Sequence, residues 1–369
     1  MGDQLPKFKA AAVQAAPVFL DREATVQKGC RLIEEAAENG AKLVVFPETW
    51  IPTYPYWVLT HSPFLATAER AATRKAFIEL YKNAVEVPGP ATEALCRAAR
   101  KAGAYVIVGV NERPTDYRGT LYNTLVYISR DGELMGKHRK LVPTHVERTV
   151  WGQGDGSPLR VYNTDLGTLG GLICYEHQMT LAKYSNWCRG EQVHAAVWPG
   201  RGPQWEGVQL ACRQYAVEGQ CFVVVACGYL DAAAVPDTFP MKDRFDWRFE
   251  GGSAIIDPIG RYLAGPLYGK EGILYAELDF EFIIGVKEQI DGTGHYARPE
   301  VLSLLVNEER FAPLRTRRAD GVQERRDELK ALRAELKALG AKIEAGADGE
   351  AKAALDNLVR RVDESIGAG

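Results

Sequence analysis

The chain has no Cys-x-x-Cys pair, no His-Glu-x-x-His or His-x-His pattern and no cysteine spacing of the zinc-finger kind, so its 7 cysteines and 6 histidines predict no metal site. The cysteines, at positions 30, 96, 174, 188, 212, 221 and 227, are odd in number and widely scattered, which argues against a dense disulfide framework and for a reducing compartment. No run approaches the roughly 20 apolar residues of a membrane span. A basic excess is missing too: 45 Lys and Arg stand against 48 Asp and Glu, a formal charge of −3, so nucleic acid is not an expected partner. The opening MGDQLPKFKAAAVQAAP has no charged region followed by an apolar run and cleavage site, and Pro6 stands where myristoylation needs Ser or Thr. The expectation is a cytoplasmic protein with no membrane or lipid anchor. The Gly-rich run at 152–156 follows no strand-to-helix phosphate-loop pattern and reads as a loop, so no cofactor is expected.

What is present is alternation. Short β-rich runs recur between residues 8 and 280 (FKAAAVQ, KLVVFP, AYVIVGV, TLVYIS, LGGLIC, HAAVWP, CFVVVAC and GILYAEL), with apolar residues at helical spacing over 23–38, 66–84, 90–102 and 204–219. Strands alternating with helices predict an α/β layered fold, and no Gly, Ser or Pro-rich linker interrupts residues 1–290, which predicts one domain there. Residues 291–318 read as an extension. From 319 to 369 the composition turns to Arg, Lys, Glu, Ala and Leu. Leu329, Leu332, Leu336, Leu339 and Ile343 form one stripe, and Leu355, Leu358, Val359, Val362 and Ile366 a second after the break GADG at 346–349. This predicts a coiled-coil-like helical hairpin, either a plain αα-hairpin or an assembly element.

Three segments could carry chemistry. In KLVVFPETW an apolar strand ends at a proline and then Glu48, at the rim where α/β folds hold reactive groups, although a capping glutamate would look the same. GKHRKLVPTHVERTVWGQGDG packs basic side chains, Pro143, Glu147 and Trp151 into one stretch, as a solvated loop could. In LGGLICYEHQM an apolar strand delivers Cys174 to its end; a sharp exit would expose the sulfur and offer the next N–H as an oxyanion donor, against the alternative of an inert buried thiol. His177 and His194 could pair with that thiol as in cysteine proteases, or serve as structural hydrogen-bonding groups.

Together, in this order and spacing, FKAAAVQAAP, FPE, HRKLVPTHVERTVWGQGDG, GGLICYEH and EQVHAAVWPG resemble the nitrilase superfamily, and within it the nitrilase branch, over residues 8 to about 290. The resemblance implies an αββα sandwich, doubled to αββααββα in a homodimer, with higher spiral or filament assembly open. It places the family's catalytic glutamate on Glu48, its lysine on Lys140 rather than Lys137, its nucleophile on Cys174 and a further glutamate on Glu147. It also suggests Tyr54, Trp151, Tyr175, Trp198 and Pro199 as pocket walls around a small-molecule nitrile. One departure is Tyr175, where relatives commonly carry Trp, which bears on substrate size. The tail after about 318 has no counterpart.

The implied reaction starts with Glu48 taking the Cys174 proton as sulfur adds to the nitrile carbon. The thioimidate is hydrolysed through a thioester to acid and ammonia, and charge on nitrogen is stabilised by Lys140 and the Tyr175 N–H. The alternatives are a cyanide hydratase or dihydratase, an amidase of the same superfamily, or an inactive filament scaffold.

Overall fold

Period-two burial decides the layering. In the computed structural model, which describes residues 4–60, 67–116, 119–310, 329–334, 336–337, 340 and 355–360, the odd and even residues of the early strands enter different cores. Ala10, Ala12, Leu43, Val45, Leu125 and Tyr127 face one core, while Ala11, Val13, Val44, Phe46, Val106 and Val126 face another. A strand buried on both faces must be the middle of a layered fold.

The chain runs β1 (Lys7–Gln14), α1 (Arg22–Glu38), β2 (Ala41–Val45), α2 (Thr67–Lys82), α3 (Pro90–Ala102), β3 (Tyr105–Glu112), β4 (Tyr122–Ile128) and β5 (Leu134–Arg139). It continues with β6 (Tyr162–Thr164), β7 (Gly167–Ile173), α4 (Thr180–Cys188), β8 (Val193–Trp198), α5 (Glu206–Gly219) and β9 (Phe222–Cys227). Last come β10 (Tyr229–Leu230), β11 (Phe249–Ile256), β12 (Tyr262–Tyr268), β13 (Gly272–Asp279) and α6 (Phe280–Lys287). One sheet has the order β13-β1-β2-β3-β4-β5; the other has β10-β11-β9-β8-β7-β6, with β12 paired to β11. The central pairs β1/β2, β2/β3, β7/β8 and β8/β9 are parallel, and antiparallel strands flank them. Helices α1 and α3 cover the first sheet through Val26, Ile33, Leu95 and Ala98. Helix α5 packs Cys212, Tyr215 and Ala216 on the second sheet. The result is the expected αββα sandwich.

The helices have identifiable ends. Asp21 caps α1 by accepting from the Ala24 N–H, Pro90 opens α3, and Gly103 closes it with φ 60°. All four expected helices form, within two residues at each end. Helices α4 and α6, and strands β5, β6, β10, β11 and β12, were not legible. Strand β5, LMGKHR, is a half-buried edge without an apolar run, and two glycines interrupt β11.

The first compact unit is Met1–Arg310, so residues 291–310 pack with the sandwich; Arg189 pairs with Glu308 at 2.7 Å. The second unit is Phe311–Gly369. Within it residues 329–334, 336–337 and 340 are helical, as are 355–360, and a Cβ placed on Gly340 would come within 2.7 Å of Leu355. Leu339, Ile343, Val362, Ile366 and the break at 346–349 lie outside the described residues.

Candidate active site

Three strand ends converge. Glu48 follows β2, Lys140 follows β5 in the same sheet, and Cys174 follows β7 in the facing sheet. Glu48 can cross so near to β3 because position 109 is glycine: a Cβ there would lie 2.2 Å from the Pro47 carbonyl and 2.8 Å from the Glu48 Cα. Cys174 opens a 3-10 turn, Cys174–Gln178, with φ 54°, a left-handed value costly for a residue bearing a Cβ. That sharp exit turns the sulfur out of the sheet.

The four expected reactive side chains meet. Lys140 Nζ donates to Glu48 Oε1 at 2.9 Å and to Glu147 Oε2 at 2.7 Å. A carboxylate oxygen from each glutamate and the Cys174 sulfur lie within 4.8 Å of one another, and all are buried. Carboxylates and a thiol that close could also crowd a metal ion. The Lys140 ammonium, however, already bridges both carboxylates, so the cation of this cluster is a side chain.

Each member is held from outside the cluster. Asn123 on β4 donates to Glu48 Oε1 at 2.6 Å, while Glu48 Oε2 is buried without a partner among the described residues. Glu147 sits in the 3-10 turn His145–Thr149, its Oε2 accepting from the Thr144 N–H at 2.7 Å and its Oε1 from the Tyr54 hydroxyl at 2.6 Å. Glu176, two residues after the sulfur, accepts from the Ile173 N–H and the Leu141 N–H, both at 2.7 Å, and from His138 Nε2. One buried carboxylate thereby clamps the cysteine's strand to the residue after Lys140.

Burial dominates the electrostatics. It pushes the Glu48 carboxyl up to about 7, with Lys140 opposing and the Glu147 charge adding. Burial alone would lower Lys140, but Cys174, Glu48 and Glu147 together hold it above the ordinary lysine value. Burial also raises the Cys174 thiol well above its usual range; Lys140 and the Tyr175 N–H pull against this, and the two glutamates reinforce it. The resting sulfur is therefore a protonated thiol, and its proton must leave as it attacks.

A cavity of about 300 Å³ opens onto the sulfur. Of the expected walls, Tyr54, Tyr175, Trp198 and Pro199 line it, with Leu59, Val146, Arg201, Trp205 and Val208 not foreseen. Trp151 does not line it. Its ring packs edge-on behind Tyr54 at 5.5 Å, and its Nε1 donates to Asn111 at 2.9 Å, so it supports the wall instead. Another hollow, about 350 Å³ beside α1 and α3, holds no thiol and is lined by ion-paired Arg113 and Glu86. Asn123, His138 and Glu176 also escaped the sequence reading. A buried strand asparagine needs a partner, which was the available signal for Asn123.

The carbon-nitrogen hydrolase family matches residues 9–288. The chain is 42% identical to a protein named aliphatic nitrilase from Rhodococcus rhodochrous over 321 residues, covering 84% of this chain and 85% of that one. It is 39% identical to a nitrilase from Paraburkholderia phymatum over 312 residues, covering 83% and 88%. Among solved structures, Nit3 of Saccharomyces cerevisiae, a member of branch 10 of the nitrilase superfamily, superposes with a TM-score of 0.60 at 23% identity, over 79% of this chain and 97% of that one.

Proposed function

The chain belongs to the carbon-nitrogen hydrolase family, in its nitrilase branch, and from that premise we propose that it hydrolyses an organic nitrile to the carboxylic acid and ammonia, with Cys174 as nucleophile. The observation that carries the assignment of roles is the buried cluster in which Lys140 bridges Glu48 and Glu147 beside the Cys174 sulfur.

Glu48, with an unpartnered oxygen and a raised carboxyl, is the base. As a nitrile enters, Glu48 takes the thiol proton, sulfur bonds to carbon, and one π pair moves to nitrogen, which receives the proton back from Glu48. Lys140 and the Tyr175 N–H face the charge that develops, an effect of about 2.7–4 kcal/mol per well-placed donor. Water activated by Glu48 then adds to the thioimidate. Loss of ammonia leaves a thioester, and a second water releases the acid. Loss of sulfur at the tetrahedral stage would release an amide instead. Glu147 fixes Lys140 through a charge-assisted hydrogen bond.

An aromatic and aliphatic cavity of about 300 Å³ suits an organic nitrile better than cyanide, which carries no organic group to bury against those walls. Incubation with phenylacetonitrile, an aliphatic dinitrile, cyanide and the matching amides, with acid, amide and ammonia quantified, separates the readings. Acid and ammonia from a nitrile, abolished in a folded Cys174→Ala variant, is the expected result. Hydrolysis confined to amides or cyanide would overturn it.

We further propose a cytoplasmic homodimer. The seven free thiols support a reducing compartment, and exposed Leu181 on α4 with Leu210 and Val217 on α5 supports a second copy there. No helix among the described residues is long and apolar enough to cross a membrane.

A further inference from the structure

Behind the reactive turn runs a line of buried polar side chains that the chemistry above leaves unused. His177 Nδ1 stands 2.6 Å from the Cys174 carbonyl oxygen, and His177 Nε2 stands 3.0 Å from His194 Nε2. His194 Nδ1 is 2.7 Å from Glu191 Oε1, and the Tyr215 hydroxyl donates to Glu191 Oε2 at 2.5 Å. All four side chains are buried. Space is reserved for the carboxyl: a Cβ on Gly170, in the strand that carries the cysteine, would fall 1.9 Å from Glu191 Oε1.

The protons can be counted along the row. A carbonyl oxygen only accepts, so His177 Nδ1 carries hydrogen. Burial, with His194 beside it, drops His177 to about 3, so the ring is neutral and its Nε2 accepts. His194 Nε2 therefore donates. Burial keeps that ring neutral as well, so its Nδ1 accepts, and the hydrogen in that link belongs to Glu191, whose carboxyl burial raises to about 8. Every link then holds one hydrogen, and all point from Glu191 toward Cys174.

The row ends on a peptide group with a second face. The Cys174 carbonyl and the Tyr175 N–H belong to one planar trans unit and point in opposite directions. The N–H faces the sulfur. Hydrogen bonds in series polarise one another, by about 10–30% per bond, so donation to the carbonyl strengthens the N–H as a donor.

We propose that Glu191, His194 and His177 are positioning residues that orient and polarise the Cys174–Tyr175 peptide, so that its N–H stabilises the anion formed when the cysteine adds to substrate. The inference rests on Cys174 being the nucleophile, as proposed above.

His177→Phe keeps a ring stacked on Trp198, 5.1 Å away, and removes the donor. Its kcat on phenylacetonitrile, or on phenylacetamide if only the amide turns over, should fall about 10- to 100-fold, with KM within twofold. A second readout needs no turnover. Phenylacetaldehyde adds the Cys174 thiol reversibly: an S–C bond forms, the carbonyl π bond breaks, and the thiol proton ends on oxygen. Its Ki should rise in His177→Phe, by less than kcat falls because the adduct oxygen is protonated, while the KM for phenylacetonitrile stays within twofold. Glu191→Gln offers His194 an amide N–H and Tyr215 an acceptor, so it should stay within about threefold of the parent, whereas Glu191→Ala should follow His177→Phe. Unchanged kcat and aldehyde affinity in folded His177→Phe would overturn the proposal, as would a Glu191→Gln protein as impaired as Glu191→Ala. Failure of the unmodified protein to hydrolyse either substrate strikes the proposed function instead, and leaves the aldehyde comparison to judge the row.

Discussion

The Glu147 carboxylate lies 2.7 Å from the Lys140 ammonium, and both are buried to within a few per cent of full enclosure. Glu48 shares the same ammonium at 2.9 Å. Two carboxylates share one ammonium, with Tyr54 and the Thr144 N–H holding the outer one, so removal of the lysine leaves two buried carboxylates facing each other without a counter-charge.

Lys140→Met removes the shared cation and leaves Glu48 facing Glu147. The expected cost is about 3–5 kcal/mol of stability, from the general penalty for breaking a buried pair, and about 1000-fold in kcat. Urea unfolding and steady-state kinetics on the same preparation check both; activity within tenfold of the parent would contradict the role given to this lysine.

Activity should have an acid limb near neutrality. Glu48 must be ionised to act as base, and burial places its carboxyl at about 7, so kcat/KM should fall with decreasing pH through that value. The Glu147 charge helps raise Glu48, so Glu147→Gln should move the limb to lower pH while lowering kcat. For stability the sign is opposite. A carboxyl raised in the folded state from the ordinary 4.5 contributes most below 4.5, and that contribution is lost as pH rises through about 7. Glu48→Gln should flatten this loss in a Tm series across that window, and a series parallel to the parent's would refute it.

Glu176 should matter for stability more than chemistry. Burial opposes its ionisation, but His138 and the N–H groups of Leu141 and Ile173 hold its carboxyl below the usual range. Glu176→Gln turns an NH2 group toward one of those donors, at a cost of about 1–3 kcal/mol. Tm should fall by several degrees, and the alkylation rate of Cys174 by iodoacetamide should change because its strand end is no longer clamped to the lysine segment. An unaltered Tm would show the clamp to be dispensable.

The sandwich closes its own core within Met1–Arg310. A chain ending after residue 318 should therefore fold and keep its turnover per Cys174. If the tail governs assembly, sedimentation should show a particle reduced by more than the mass removed; an unchanged subunit number would remove the tail from that role.

Much of the site was legible because reactive groups at strand ends leave a mark in the sequence. An apolar run that stops at Pro47 and Glu48 and another that stops at Cys174 each place one carboxyl or thiol side chain beside a buried strand, whereas Lys140 and Glu147 stood out only through the resemblance of HRKLVPTHVER to the nitrilase family. Local pattern sufficed for the long helices, and continuous apolar runs for the strands buried on both faces. It failed at β5 and β11, where an edge position and paired glycines erase the hydrophobic signal although one of these strands carries Lys140 into place.

The amino-acid order by itself determined which side chains were candidates to react and that Glu48 and Cys174 would stand at the ends of apolar strands, since apolar runs and strand length are local properties. Only the tertiary structure decided that rims from two sheets would meet, with a Glu48 oxygen within 4.8 Å of the Cys174 sulfur, that Trp151 would stand behind the cavity wall, and that His177, His194 and Glu191 would join in a row. Those outcomes depend on how the sheets pack face to face. Contacts between residues dozens of positions apart are fixed by the shape of the whole core, which no single stretch of chain encodes.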